Sequence, residues 1–276
     1  MFKRNPGLKT RVKTAVPLGI VIIGCLFINQ YSAIAMFAFL NLLCIIELIS
    51  MRPGTRWQRI ALIFIGISIF SYHIGVLFNF LPFDAAVVWY QLLTASLVFS
   101  IYLVLKLFTS RIIPNNFIIN LALVALYIAI PFSFAVALIM DKGFTPNLIF
   151  SILLIIWAGD IAAYFSGKNF GKHKLFEKIS PNKTKEGAFG ALIASILMAW
   201  IVYLIFKEST LSFWLIAGFT IWLSGLIGDL VESMIKRNAA VKDSGTFLPG
   251  HGGFLDRFDS LIFTLPFFSL LYLIFN

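Results

Sequence analysis

Charged residues are scarce in this sequence: Asp, Glu, Lys and Arg make up 12% of its 276 residues, whereas 60% are hydrophobic. A soluble domain of this length carries a much more charged surface, so the scarcity argues against a soluble globular protein. The strict alternation of apolar and polar residues that marks a transmembrane β-barrel is also missing. The composition, with a mean hydropathy of +0.94, predicts a helical membrane protein.

Cysteine is scarce as well. Cys25 and Cys44 are the two cysteines, and both fall inside apolar runs, where we interpret them as small apolar residues without redox or metal-binding roles. The P-loop spacing, Gly-x-x-x-x-Gly-Lys-Ser/Thr, is absent. Internal repeats and low-complexity linkers are absent too, which predicts one membrane domain.

Apolar runs that can cross a bilayer recur about nine times, at roughly 20 residues per helix. The predicted spans are residues 14–27, 32–49, 59–80, 85–108, 116–140, 147–165, 188–206, 211–235 and 260–275. Polar residues concentrate after residue 147. The predicted fold is therefore all-α and polytopic, with a transmembrane scaffold of about five helices in residues 1–146 and a catalytic transmembrane half of about four helices in residues 147–276.

Basic residues are distributed unevenly between the loops. The segment before the first span and the loops after even-numbered spans hold nearly all of them, whereas the alternate loops hold only Lys142 and Lys207. The positive-inside rule then predicts a cytoplasmic N-terminus and a C-terminus outside. The net charge of +10 suits anionic lipid headgroups or nucleotide phosphates at the cytoplasmic face. Nucleic acid is not a predicted partner, because no soluble basic domain would hold it.

Two titratable residues stand out in the N-terminal half. Glu47 lies about one turn from the cytoplasmic end of its span and is expected to reach the interface or to pair with a nearby arginine. His73 lies deeper, where hydrogen-bonded packing is the preferred interpretation over a ligand role. Neither is among the predicted site residues.

One helical face at the end of the eighth span carries Asp229, Glu232, Ser233 and Lys236, at positions i, i+3, i+4 and i+7. Charged groups on such a face must meet a partner or a water-filled cavity, because lipid cannot solvate them. An internal salt-bridge ladder, in which Asp229 or Glu232 pairs with Lys236, is the alternative explanation.

A second acidic stripe, Asp256 and Asp259, opens the ninth span. Helix N-capping is the plain alternative for these two residues. If Asp229 joins them, the three carboxylates form an oxygen-rich site for a hard cation such as Mg²⁺. Between the stripes, the glycine-rich turn 248–253 lets backbone approach an anion closely. His251 in this turn is either a donor to a phosphate or a structural residue.

A third polar cluster runs from the sixth span into the following loop. Asp160 and Tyr164 share a helical face, and Lys183, Thr184 and Lys185 precede a predicted helix start. Basic residues at a helix N-terminus are suited to cradle a polyphosphate. Positive-inside bias is the alternative explanation for these lysines.

These segments resemble the signature of the phosphatidate cytidylyltransferases, also called CDP-diacylglycerol synthases. The matching motifs are Ser233-Met-Ile-Lys-Arg237, Lys242-Asp243-Ser244, Pro249-Gly-His-Gly-Gly253 and Asp256-Arg-Phe-Asp259. Upstream, they are Gly228-Asp229-Leu-Val-Glu-Ser233, Ser180-Pro181 with Lys183, Thr184, Glu186 and Gly187, and Asp160 with Ala163-Tyr164 and Gly167. The resemblance covers about the last 120 residues, and the N-terminal half is similar only in its hydrophobicity.

The resemblance implies transfer of CMP from CTP to phosphatidate, giving CDP-diacylglycerol and pyrophosphate, at the cytoplasmic face of a bacterial inner membrane. It also implies about nine transmembrane helices, a homodimer, and a cation site that includes Mg²⁺ and leaves a second cation open. The residues expected to bind the metal are Asp229, Asp256 and Asp259. The expected catalytic residues are Asp229, Lys236, Arg237, His251 and Arg257. The expected substrate-binding residues are Asp160, Tyr164, Ser180, Lys183, Thr184, Lys185, Glu186, Glu232, Ser233, Lys242, Asp243, Gly252 and Gly253.

Two other classes of protein stay open. A CTP-dependent polyprenol kinase would transfer the γ-phosphate to a lipid alcohol and release CDP. A transporter would bind ions with buried carboxylates, but it typically has paired broken helices in two repeated halves, whereas polarity here is confined to one half. CDP-alcohol phosphotransferases are excluded, because their paired aspartate motif on one helix is missing.

Overall fold

The computed structural model describes residues 8–109, 112–247 and 252–276, with side chains described from residue 16 onward. The helices are α1 (Leu8–Ile28), α2 (Gln30–Met51), α3 (Arg56–Leu77), α4 (Ala85–Thr109), α5 (Phe117–Ala122), α6 (Ile130–Met140), α7 (Asn147–Phe170), α8 (Lys185–Phe206), α9 (Leu211–Asn238) and α10 (Leu255–Phe275). A π-helical segment, Leu123–Ala129, joins α5 to α6. An antiparallel hairpin of β1 (Lys174–Phe176) and β2 (Ser180–Thr184) lies between α7 and α8.

Within the described ranges, eight segments are long and apolar enough to cross a membrane, and Val16–Ile28 in α1 is a shorter apolar helix. This result confirms the prediction of an all-α, polytopic membrane protein. Several helices begin before their predicted spans; among them, α8 starts at Lys185 and α10 at Leu255. Glu186 and Asp256 consequently lie in first helical turns. The short hairpin was not predicted.

Polar side chains set the start of several helices. Asn29 and Thr55 form reciprocal capping boxes with Ser32 and Gln58, which satisfy backbone N–H groups that the first helical turn leaves free. Thr184 caps α8 through its side-chain oxygen. Because Thr184 is also the last residue of β2, this cap ties the hairpin to the start of α8.

The segment from α5 to α6 forms the centre of the bundle. In its most apolar window 83% of residues are buried, against 22–61% for the other seven candidate spans. Pro131 at the start of α6 has no backbone N–H, so the preceding turns cannot complete the α-helical pattern and widen into the π-helix. His73 packs here with its Nδ1 2.6 Å from Ser133 Oγ, which confirms the hydrogen-bonded packing interpretation.

Glycines let the C-terminal helices approach one another closely. A Cβ on Gly187 of α8 would lie 3.0 Å from the carbonyl oxygen of Ala163 in α7. A Cβ on Gly228 of α9 would lie 2.5 Å from Phe263 Cβ and 3.0 Å from the carbonyl oxygen of Asp259 in α10. Small residues serve this purpose in many membrane helices. Here they bring the polar faces of four helices together.

Helices of the two predicted halves also pack against each other. The last helix, α10, contacts α2, α4 and α6 in addition to α9. The predicted boundary at residues 146 and 147 falls between α6 and α7. The scaffold role of residues 1–146 and the catalytic role of residues 147–276 stay predictions.

Candidate active site

A cavity of about 630 Å³ lies between α7, α8, α9 and strand β2. Its polar wall includes Asp160, Lys183 and Asp229, and its apolar wall includes Ile156 and Trp222. Apolar walls with a few placed polar groups, in a volume of this size, are typical of sites for small-molecule ligands. The cavity joins two of the polar clusters that the sequence shows far apart along the chain.

The ion pair between Lys183 and Asp229 links the hairpin to α9 across this cavity. Lys183 Nζ lies 2.5 Å from Asp229 Oδ2, and the two side chains are 24% and 38% exposed. Water screens a pair with this exposure, so it contributes little to stability. The pair can therefore open at low cost, which leaves both charges available to a bound phosphate or cation.

Asp160, Asp229 and Asp259 interact electrostatically with one another, and Lys183 and Arg257 offset part of their charge. Asp259 is buried, and its Oδ1 accepts a hydrogen bond of 2.6 Å from the next backbone N–H. Carboxylate oxygens are the ligands that Mg²⁺ prefers, and a cation role for these residues stays a prediction.

A second polar network is centred on Lys236 of α9. Its Nζ lies 2.5 Å from Glu232 Oε2 and 2.6 Å from Asp256 Oδ1. The Glu232 side chain is 1% exposed, so its charge depends on Lys236 for compensation. The salt-bridge ladder that the sequence left open is confirmed for Glu232, whereas Asp229 pairs with Lys183.

Asp256 is engaged on both carboxylate oxygens. Its Oδ1 forms the ion pair with Lys236. Its Oδ2 accepts hydrogen bonds from the backbone N–H groups of Gly253 at 2.7 Å and Ser244 at 3.0 Å. The bond to Gly253 resembles a helix-capping interaction. In the part of the chain that the structure describes, no three His, Cys, Asp or Glu side chains converge as a metal-binding group. Asp229, Asp256 and Asp259 are therefore not gathered into one such group, and their metal-binding role stays a prediction.

The turn that enters α10 depends on its glycines. Gly252 has a φ of +83°, in the left-handed region that favours glycine. A Cβ there would collide with the Asp256 carboxylate, and the N–H of Gly253 is the donor to that same carboxylate. Residues 248–251 lie outside the described residues. Both predicted roles of His251 therefore stay predictions.

Three more of the predicted substrate-binding residues line the cavity, namely Tyr164, Ser180 and Thr184. The Thr184 oxygen already accepts the capping hydrogen bond of α8, so it shapes the wall and holds β2 in place. Ser233 lies close by, because its Oγ donates a hydrogen bond of 3.4 Å to Asp229 Oδ1. The structure thus places these residues in or beside the cavity, and their contacts with substrate stay predictions.

Glu186 and Lys185 lie at the start of α8 but are not among the residues that line the cavity. Glu186 Oε1 lies 2.6 Å from Nδ1 of His173, which precedes β1. Lys185 is exposed, and its backbone N–H donates to the His173 carbonyl. In this structure both residues hold the hairpin against the helix.

The remaining basic and acidic candidates lie on the loop side of α9 and α10. Arg237, Lys242, Asp243 and Arg257 are exposed, and Arg237 donates a hydrogen bond of 3.0 Å to the carbonyl of Val241, just beyond the end of α9. None of the four is among the cavity-lining residues. The phosphate contacts of Arg237, Lys242 and Arg257 and the substrate-binding role of Asp243 stay predictions.

The role of Glu47 was not predicted from the sequence. The expectation that it pairs with a nearby arginine or reaches the interface is wrong. This buried side chain accepts hydrogen bonds from Ser244 Oγ at 2.9 Å, Phe254 N at 2.9 Å and Leu255 N at 2.8 Å. Arg52 is engaged with α5 and the loop before it, and burial lowers its pKa below the usual range. No local pattern predicts a contact between residues about 200 positions apart.

Comparison with known proteins shows which family the chain is similar to. Residues 9–275 match the model of the Cytidylyltransferase family. The phosphatidate cytidylyltransferase of Bacillus subtilis (strain 168) is 39% identical over 184 residues, which are 64% of this chain and 68% of that protein.

Two staphylococcal relatives match a shorter stretch. The phosphatidate cytidylyltransferases of Staphylococcus haemolyticus (strain JCSC1435) and Staphylococcus aureus (strain COL) are 53% and 51% identical over 120 residues, which are 43% of this chain and 46% of each relative. This match thus spans about half the length of these relatives. Because the family model matches nearly the whole sequence, the chain belongs to the cytidylyltransferase family.

Proposed function

We propose that this protein transfers CMP from CTP to phosphatidate, giving CDP-diacylglycerol and pyrophosphate. The observation that carries the proposal is the cavity in which Asp160, Lys183 and Asp229 meet between helices long enough to cross a membrane. A charged site in such helices suits a reaction that joins a nucleotide to a lipid phosphate. The family membership and the names of the relatives support the same reaction.

The proposed step is in-line attack of a phosphatidate oxygen on the α-phosphorus of CTP. A P–O bond forms, the bond between the α-phosphorus and its bridging oxygen to the β-phosphorus breaks, and pyrophosphate leaves with the electron pair. The attacking oxygen is already an anion, so the step requires no Ser, Cys or His nucleophile. The protein then has to hold two anions in line and offset their repulsion.

Lys183 is the proposed contact for the polyphosphate of CTP. Its partner Asp229 is half exposed, so an incoming phosphate can replace that carboxylate at the ammonium group. The exchange frees the Asp229 carboxylate at the same moment. Asp160 completes the proposed nucleotide side within the cavity, whose wall also holds Tyr164 and Ser180. Lys185, exposed at the start of α8, is proposed to meet the polyphosphate from outside the cavity.

We also propose Mg²⁺ as the cation of the site. Asp229, which lines the cavity, and the buried Asp259 are the first proposed ligands, because carboxylate oxygens are the ligands that Mg²⁺ prefers. Bound there, the ion would offset charge on the phosphate oxygens. Asp256 is the third predicted ligand, and in this structure it holds Lys236 and the loop amides.

The other basic residues are proposed to act at the cytoplasmic entrance. Arg237, Lys242 and Arg257 are exposed and suited to meet the phosphates of either substrate as they arrive. Lys236 is only 12% exposed and ion-paired twice, so its proposed contribution is to hold Asp256.

We also propose a homodimer. The mass of the detergent-solubilised protein, measured by light scattering, would test it.

Labelled CTP tests the reaction directly. Purified protein with phosphatidate is expected to move label from the α-phosphorus of CTP into lipid and to release γ-label as pyrophosphate. Pyrophosphate release should depend on phosphatidate, and dolichol or another polyprenol supplied in its place should accept no label.

Lys183→Ala is expected to raise the KM for CTP more than it lowers kcat, because the side chain binds polyphosphate in both ground and transition states.

Each other outcome points to a different class. Appearance of γ-label in the lipid would reject cytidylyl transfer and favour the polyprenol kinase. Uptake of neither label, with phosphatidate present in mixed micelles, would favour the transporter.

We propose that the active site faces the cytoplasm of a bacterial inner membrane, because the basic loops adjoin it. Single cysteines at Lys207 and Asn276 should react with an impermeant reagent added outside cells, and a cysteine at Asn182 in β2 should react only after permeabilisation. Replacement of Cys25 and Cys44 by alanine removes the background. Labelling of position 182 from outside would reverse the orientation.

A further inference from the structure

The two described ends of the loop that carries the site signature meet at the side chain of Glu47, which comes from the other half of the chain. We propose that Glu47 is a positioning residue: it joins the two ends of the loop 244–255 and so sets where Asp256 and Asp259 stand at the start of α10. The inference rests on the proposed function for its kinetic part. Its structural part rests on contacts alone.

The hydrogen bonds use both carboxylate oxygens of Glu47. Oε1 accepts from Phe254 N at 2.9 Å, and Oε2 accepts from Leu255 N at 2.8 Å and Ser244 Oγ at 2.9 Å. The donors therefore come from the first and last residues of the loop. Hydrogen bonds to a charged acceptor in a buried place are stronger than neutral ones, so this carboxylate is well suited to hold the two described ends of the loop together.

Two glycines of the loop are explained by the same contact. A Cβ on Gly245 would lie 2.7 Å from Glu47 Oε1, and a Cβ on Gly253 would collide with Oε2 and with Ser244 Oγ. Only glycine allows backbone to approach a carboxylate this closely. The described ends of the loop thus leave room for Glu47, and a shorter or neutral side chain would deprive their donors of a charged acceptor.

Glu47 also caps the helix that carries the aspartates. The N-cap residue of α10, Phe254, makes no side-chain capping hydrogen bond, and its own N–H and that of Leu255 would otherwise be free donors. The carboxylate of Glu47 supplies the missing acceptor and places negative charge at the positive end of the helix. Asp256 is the next residue after Leu255 and Asp259 lies about one turn further along α10, so their positions depend on this anchored end.

Glu47 and Asp256 hold the same loop from two sides. Glu47 binds the hydroxyl of Ser244, while Asp256 binds its N–H. Asp256 in turn pairs with Lys236 of α9. Loss of Glu47 should therefore loosen the loop and disturb the orientation of Asp256 without removing any charged group from the cavity.

Glu47→Gln tests this role, because the amide keeps the shape but puts an NH₂ donor against backbone donors. We expect hydrogen exchange in peptides covering residues 253–256 to become about tenfold faster or more. With CTP and phosphatidate, kcat should fall about tenfold or more while the KM for CTP changes less than about threefold, since the nucleotide contacts are untouched.

Two variants serve as matched controls. Glu208→Gln makes the same chemical change at an exposed residue and should alter neither readout. Leu48→Ala empties a fully buried position next to Glu47, so it should lower the melting temperature yet leave loop exchange and kcat within about threefold. If Glu47→Gln yields no extractable protein, Glu47→Asp, which keeps the charge but is shorter, should show the same two changes.

The outcomes separate the alternatives. Unchanged exchange at residues 253–256, faster exchange with unchanged kcat, or an equal loss of kcat in Leu48→Ala would each overturn the positioning role. An inactive wild-type protein would overturn the proposed function instead. The exchange measurement would then still decide whether Glu47 anchors the loop.

Discussion

Replacement of Asp229 by asparagine is expected to lower CMP transfer by about a hundredfold or more. The side chain faces the cavity and belongs to the acidic group with Asp160 and Asp259. Asparagine has nearly the same shape but no charge, so it removes the interaction with a cation and leaves the packing intact. Because the ion pair with Lys183 is partly exposed, its loss should change the melting temperature little. Turnover and thermal unfolding in detergent measure the two effects.

Asp84→Asn is the matched control for this change. Asp84 is exposed, and its Oδ1 accepts hydrogen bonds from two backbone N–H groups at the start of α4, which an asparagine oxygen also accepts. Activity should therefore stay at the wild-type level. Partial recovery of Asp229→Asn at high Mg²⁺ concentration would support the cation role, and a loss of only a few-fold would contradict it.

Lys236→Met is expected to have the largest effect on stability. The variant leaves the carboxyl group of Glu232, which is 1% exposed, buried without its ion-pair partner. Breaking a buried pair in this way typically costs about 3–5 kcal/mol. It also releases Asp256 from α9, so activity should be lost even in the fraction that stays folded. Thermal unfolding and turnover per folded protein are the measurements.

The double variant Glu232→Gln with Lys236→Met separates the two consequences. It removes the buried charge, so most of the stability should return, but Asp256 still lacks its partner and turnover should stay low. Lys178→Met, at an exposed position of the hairpin turn, should unfold at the wild-type temperature. If Lys236→Met unfolds there too, the Glu232–Lys236 pair does not stabilise the fold.

Helical periodicity accounts for the part of the site that sequence analysis found. Asp229, Glu232 and Lys236 share one face of α9, as their spacing predicts, and the structure places all three on polar partners. Periodicity shows which residues lie on one face but not what that face meets. The pairing of Asp229 with Lys183, and of Lys236 with Asp256, therefore could not be predicted from spacing.

Glu47 shows the other kind of omission. Its neighbours in sequence are apolar, and nothing within α2 distinguishes it from a carboxylate that reaches the membrane surface. Its donors are a hydroxyl and backbone N–H groups about 200 residues away. Every residue except proline has such an N–H, so the sequence of the loop contains no sign of a missing acceptor.

Sequence alone determined the membrane class, the all-α fold and the stretch that carries the charged site, because hydropathy and helical period are local properties of the chain. Tertiary structure decided which charges pair, which remain open to a cavity, and which residue of the N-terminal half reaches the site. Those choices depend on how glycines such as Gly228 let helices approach and on where loops close. These contacts join residues that are far apart along the chain, and they form only once the helices have packed. Local sequence patterns therefore do not reveal them.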